Sequence, residues 1–145
     1  MADSLVLGTE ECRTLLNSGV VGRIAVSTPD GPHIVPVNYA VVDDSIVVRT
    51  SAYSLLGTYG RDSTLAFEVD HVDHEQQHGW SVVARGRGEF VTDDDELDHI
   101  QQVWDPRPWA TGVRALYLRL TWSELSGRRL GEGWDTRAGG VRRVV

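Results

Sequence analysis

Residues 80–91, WSVVARGRGEFV, read as one long strand, and Gly86 and Gly88 within it mark a bend of the kind that turns a corner in a barrel. Before it, residues 64–70 (TLAFEVD) alternate as a strand, and 71–79 form a polar loop between the two. Upstream lie three more strands: 21–27 (VGRIAVS), 33–41 (HIVPVNYAV) and the β-branched 45–50 (SIVVRT). Turn chemistry separates them at Pro29-Asp30-Gly31-Pro32 and at Asp43-Asp44. Pro36 has no N–H to give a ladder, so the second strand is expected at an edge, at a bulge or with a missing bond. Downstream, residues 115–121 (ALYLRLT) alternate as a sixth strand.

The helices are small. Thr9 reads as the N-cap of a helix over 10–18, with Glu10 and Glu11 in the first turn, Cys12, Leu15 and Leu16 inward, and Gly19 as a left-handed stop. Residues 53–60 form a short helix or turn. Thr92 is expected to cap an acidic helix over 93–103 with Leu97, Ile100 and Val103 inward. A loop with Trp104, Pro106, Pro108 and Trp109 follows it. Short antiparallel strands with only small helices between them read as a closed or nearly closed barrel in a single domain.

Composition narrows the function classes. The 145 residues hold 41% hydrophobic and 24% charged residues, a globular profile, with no apolar run long enough to span a membrane and no signal peptide at the N-terminus. The single cysteine, Cys12, excludes an intrachain disulfide; on an inward stripe it is read as a small hydrophobe, and the cytoplasm is the expected location. The net charge of −7 divides into −12 over residues 1–106 and +5 over 107–145. An acidic body argues against nucleic acid as a partner. All 14 basic residues are arginine.

GRIAV at 22–26, PVNY at 36–39, AFEVD at 66–70 and GWSVVARG at 79–86, in this order, resemble the pyridoxamine-phosphate-oxidase-like FMN-binding split-barrel family. The similarity is greatest to its small branch related to nitroimidazole-resistance proteins, and PWATG at 108–112 and SGRRL at 126–130 also fit that branch. The resemblance covers about residues 8–130, leaving 131–145 as a C-terminal extension. It implies a mainly β fold, a six-stranded antiparallel split β-barrel with short flanking helices, that forms a homodimer with FMN between the subunits. It places Arg49, Thr50, Ser51 and Ser54 beside the phosphate, and Val37, Asn38, Tyr39, Trp80 and Ser81 along the ring. The chemistry agrees: a phosphate takes a cation, hydroxyls and backbone N–H groups, and a ring takes an apolar face with a few donors and acceptors. The sequence departs from the family at one point: the loop after the third strand reads Ser54-Leu55-Leu56 where members usually carry a lysine, so one phosphate charge partner is missing unless Arg49 or Arg61 replaces it.

Each of these residues also has a plainer reading. Arg49 is a strand-end cation, Trp80 a core aromatic, and Asn38 a bracket for backbone groups. His71, His74 and His78, among the acids of the 70–78 loop, match no metal-ligand spacing and read as a polar hairpin; a histidine axial ligand to haem is the related minority option. No general acid or base stands out, and the substrate-binding tail of true pyridoxamine phosphate oxidase is not evident. Two functions follow: a flavin-dependent oxidoreductase acting on a small molecule, or a non-catalytic binding or sensor protein holding flavin, deazaflavin or haem in the dimer cleft. The tail, residues 131–145, has two readings: it docks across the dimer through Trp134, Arg137, Arg142 and Arg143, or it is a loose terminus ordered only by a crystal contact.

Overall fold

The computed structural model describes residues 5–104 and 116–131. The loop at 105–115, which carries PWATG, and the tail with Trp134, Arg137, Arg142 and Arg143 lie outside the described residues. Helices α1 (Thr9–Ser18), α2 (Leu55–Tyr59) and α3 (Asp94–Trp104) flank one curled antiparallel sheet. Its strands are β1 (Leu5–Val6), β2 (Val21–Thr28), β3 (Gly31–Asn38), β4 (Ala40–Val42), β5 (Ser45–Thr50), β6 (Thr64–Asp73), β7 (His78–Phe90) and β8 (Leu116–Leu130). They run in the order β3-β2-β6-β7-β8-β5-β4, with β1 on β8. No described helix is long and apolar enough to cross a membrane.

The fold is the expected split barrel, with the strand count raised from six to eight by β1 and by a break in the second strand. The second strand breaks at Tyr39 into β3 and β4, so that one stretch of chain supplies both ends of the sheet order and closes the barrel. Pro36 sits in β3, which has the free edge its missing N–H requires. The last strand runs nine residues beyond the alternating 115–121 segment, to Leu130, and pairs β7 from Leu118 to Leu130. The ladder register shifts between Arg85 and Gly86, where Arg85 faces Glu124 but Gly86 faces Trp122. That bulge hides the continuation from an alternating pattern, and it is the corner marked by the glycines: a Cβ on Gly86 would collide with the Thr121 carbonyl. The polar loop is shorter than expected, because β6 and β7 extend into it and leave only residues 74–77 as a turn.

Three helix-end expectations are corrected. The cap of α1 is Gly8, which uses backbone alone (Cys12 N–H to Gly8 O, 3.0 Å), and Thr9 is already helical. Gly19 is extended (φ −91°), not left-handed; it is needed because a Cβ there would strike the Tyr39 hydroxyl. Asp93, not Thr92, caps α3, its Oδ2 accepting from Glu96 N–H at 3.0 Å.

Two apolar clusters divide the molecule. Inside the barrel, Ile24, Val26, Tyr39, Ile46, Val48, Phe67, Trp80, Val82 and Leu118 pack with Cys12, Leu15 and Leu16 of α1 and Leu56 of α2. Cys12 is fully buried, and burial pushes its thiol up from the ordinary value. Outside the barrel, Ile100 and Leu97 of α3 cover Ala40, Val42, Val47, Val91 and Tyr117, whereas Val103 stays exposed. Strand β5 is therefore buried on both faces, which is why it reads as a continuous apolar run.

Tyr39 ties these parts together. Its ring packs edge-on against Phe67 at 4.6 Å, and its hydroxyl donates to Leu16 O of α1 at 2.5 Å. Tyr39→Phe leaves the Leu16 carbonyl buried without that donor and is expected to cost about 1–3 kcal/mol. Urea unfolding checks this; a midpoint and slope equal to those of the parent would show that the bond contributes nothing.

Candidate functional site

Side chains alternate across a strand, so burial separates the outward residues of β2, β3, β6, β7 and β8 from the inward ones. Three rows run across the outward face. The first is Ile34, Ala25, Ala66, Arg85 and Glu124; the second is Pro36, Arg23, Glu68, Val83 and Ser126. In the third, Asn38 lies opposite Val21 and Asp70 lies opposite Ser81, which faces Arg128. No described helix covers this face; Ile34 is 71% and Val21 41% exposed, while Ala25, Ala66 and Val83 are half-buried.

The residues expected along the ring divide between the two sides of the sheet. Asn38 and Ser81 are outward and half-buried, three inter-strand steps or roughly 14 Å apart. Val37 packs inward on the barrel core, and Tyr39 and Trp80 are buried within it, 1% and 2% exposed. The side chains of these three are thus structural, and a molecule on the outward face meets only their backbone; Trp80 and Tyr39 are core aromatics.

The residues expected beside the phosphate gather at the end of β5. Arg49 projects outward, its guanidinium 5.2 Å above the Tyr117 ring opposite it in register. Ala40 pairs with Val47 at the end of the β4–β5 ladder, two residues before Arg49 on β5. Thr50 is buried, and its hydroxyl shares a 2.5 Å hydrogen bond with Ser54. Ser54 caps α2 by accepting from Gly57 N–H at 2.9 Å and donates to the Ser51 carbonyl. The Thr50 and Ser54 hydroxyls thus already serve each other and the five-residue helix. Arg61, the other candidate substitute for lysine, lies beside Asp62 at 3.6 Å.

Sequence reasoning overlooked a carboxyl pair at the centre of the face. Glu68 and Asp70, two residues apart on β6, share one cation: Arg23 Nη1 lies 3.2 Å from Glu68 Oε2 and 3.5 Å from Asp70 Oδ2. Glu68 Oε1 is buried and accepts no hydrogen bond. Burial, followed by the hydrogen bond and charge of Asp70, pushes the Glu68 carboxyl up from 4.5 to about 7, against the pull of Arg23. The signal was present in AFEVD, since acids at i and i+2 of a strand share a face.

The histidine-rich segment is a hairpin end. His71 lies opposite Trp80 and Asp73 opposite His78 in the ladder, and Asp73 Oδ1 accepts from Gln76 N–H at 2.9 Å, which holds its carboxyl below the usual range. Among the described residues no three His, Cys, Asp or Glu side chains group as metal ligands. A separate cleft of about 270 Å³ under α3 is lined by Asp43, Asp95, Glu96, His99 and Arg119. Within it His99 Nε2 is 3.3 Å from Asp43, and Arg119 reaches Glu89 and Glu96 at 2.7 and 3.4 Å.

Comparison with known proteins gives this geometry its context. The sequence profile of the pyridoxamine 5'-phosphate oxidase family matches residues 8–129. An uncharacterized Mycobacterium tuberculosis protein is 31% identical over 105 residues, 69% of each chain. The solved structure of an FAD-binding protein from Mycobacterium smegmatis superposes with a TM-score of 0.73 at 30% identity, over 86% of this chain and 97% of the other. That of an FAD-binding protein from Mesorhizobium loti gives 0.70 at 25% identity, over 87% and 97%. The closing of a curled sheet at PVNY, the AFEVD and GWSVVARG strands side by side, and the match over nearly the whole chain lead to one conclusion: this chain belongs to the pyridoxamine 5'-phosphate oxidase family.

Proposed function

We propose that the chain is a flavin-binding split-barrel protein that works as a homodimer and transfers electrons between the flavin and a small molecule. The observation that carries this reading is a sheet face that no described helix covers, on which Asn38 and Ser81 stand outward, with Arg49 outward at the end of β5. Arg49 supplies the fixed positive charge for the phosphate group, in place of the absent lysine, and its stacking on Tyr117 restrains it. The Asn38 amide and the Ser81 hydroxyl offer donors and acceptors to the polar edge of the ring, and the half-buried Ala25, Ala66 and Val83 give an apolar floor. A bound flavin would supply the hydride and one-electron chemistry; the protein binds it, orients it and excludes water. Two solved relatives are described as FAD-binding, and FMN carries the same ring and first phosphate, so both are candidate cofactors.

The same face supports the homodimer. Ile34 and Val21 leave apolar surface in water beside half-buried alanines, and a second copy of the face is its natural cover. Interfaces of permanent dimers commonly bury more than about 2,000 Å². The rival reading, a non-catalytic flavin carrier or sensor, draws on the absence of lysine at the phosphate, which weakens retention. Loss of the flavin absorbance when NADPH is added separates a reducible cofactor from a held one.

Arg49→Ala is expected to weaken FMN and FAD equally, by about 1.5–3 kcal/mol, the range for a hydrogen bond to a charged group. Quenching of flavin fluorescence on titration reads this out. An affinity equal to that of the parent would place the phosphate elsewhere. Sedimentation at micromolar concentration is expected to give a dimer, and a monomer would end the homodimer reading.

A further inference from the structure

Glu68 and Asp70 stand in the middle of the face assigned above to the second subunit, and their surroundings are unequal to two negative charges. From β2 only Arg23 reaches them, and it serves both carboxyls through one nitrogen. On β3 the residue opposite Arg23 is Pro36, which carries no charge. On β7, Val83 faces Glu68 and Ser81 faces Asp70; the nearest cation on that strand, Arg85, lies opposite Ala66 and is paired with Glu124 at 3.2 Å. On β8, Ser126 lies beyond Val83, and Arg128 lies beyond Ser81, two strands from Asp70. No histidine is among these facing residues.

The geometry also shows where a proton would go. Two ionised carboxylates are acceptors only and cannot bond to each other. Glu68 Oε1 is buried and without a donor, and a hydrogen bond between the Glu68 and Asp70 carboxyls requires that one of the two hold a proton. The cluster then carries one negative charge against one guanidinium. Fully ionised, it carries a net charge of −1 on a face that must lose its water when covered.

We propose that Glu68 and Asp70 hold one shared proton and that this proton permits two subunits to pair through the outward face of β2, β6 and β7. The inference rests on the homodimer reading. In a two-fold interface the same patch enters from both sides, so each deprotonated cluster is brought into the interface with its own copy and the cost is doubled. Pairing therefore favours the protonated form, and by linkage the dimer is tighter in mild acid than in mild alkali. The sign agrees with the raised Glu68 value of about 7. The folded chain keeps a proton that the unfolded chain releases near 4.5, so this contribution is full below that value and is lost as pH rises through about 7.

The test is the dimer dissociation constant of the full chain, measured by sedimentation at about pH 6 and about pH 8.5, for the parent, Glu68→Gln and Asp70→Asn. The parent constant is expected to rise roughly tenfold or more between the two pH values. Glu68→Gln places an amide where the protonated acid stands and is expected to keep the mild-acid constant at both pH values. Asp70→Asn, which removes the partner charge, is expected to do the same and serves if the first variant folds poorly. A parent dimer indifferent to pH, or variants that keep the parent's pH dependence, overturns the proton gate and leaves the homodimer reading standing. A monomer at both pH values overturns the homodimer reading and the gate with it.

Discussion

The hydroxyl of Tyr39, bonded to the Leu16 carbonyl while its ring packs on Phe67 and its N–H bonds Val20 O at 3.1 Å, holds the one point at which the curled sheet closes on itself. The chain leaves β3 at Asn38 and enters β4 at Ala40, so Tyr39 alone spans the change from one end of the sheet order to the other. Its inward turn forces Asn38 outward, because neighbours on extended chain point to opposite sides. It also seats α1 against the barrel and requires Gly19 to have no side chain. The outward placement of Asn38 at the end of β3 depends on this closure.

Helix coverage divides the outside of the barrel into two regions with different fates. Over β4 and β5, α3 lays Ile100 and Leu97 on Val42, Val47 and Tyr117, and that side is an ordinary buried layer. Over β2, β6 and β7 nothing among the described residues is laid down, and there the polar residues concentrate: Arg23, Glu68, Asp70 and Ser81 between half-buried Ala25, Ala66 and Val83. Protein interfaces usually have an apolar core and a polar rim, so charges at the centre of a partly apolar face must be matched when it is covered. Arg49 lies at the seam between the two regions, stacked on a tyrosine of the covered one.

The strands were legible because most of them have one dry face, and TLAFEVD or ALYLRLT shows it as alternation. What stayed hidden has physical causes. The break at Tyr39 carries no Gly, Asn-Gly or Pro signal, since a buried tyrosine, not turn chemistry, makes it. The second half of β8 is masked by the bulge opposite Arg85 and Gly86, which shifts the phase of TWSELSGRRL. For the site, the residue types at 37–39 and 80–81 were readable but not which of them point outward; that needed register, and it sends Val37, Tyr39 and Trp80 to the core. The mutual bonding of Thr50 and Ser54 has no sequence signal beyond two hydroxyls four residues apart. The Glu68–Asp70 pair was visible as spacing, but its meaning lies in the one arginine across β2, which only the ladder reveals.

Amide hydrogen exchange of the whole chain with and without saturating FMN tests most directly the claim that the outward face is the flavin site. The account predicts slower exchange confined to the end of β3 around Asn38, the β5–α2 junction at 49–54 and the start of β7 at 80–83. Protection concentrated instead around Asp43, His99 and Arg119 in the cleft under α3, or no protection anywhere, would contradict it.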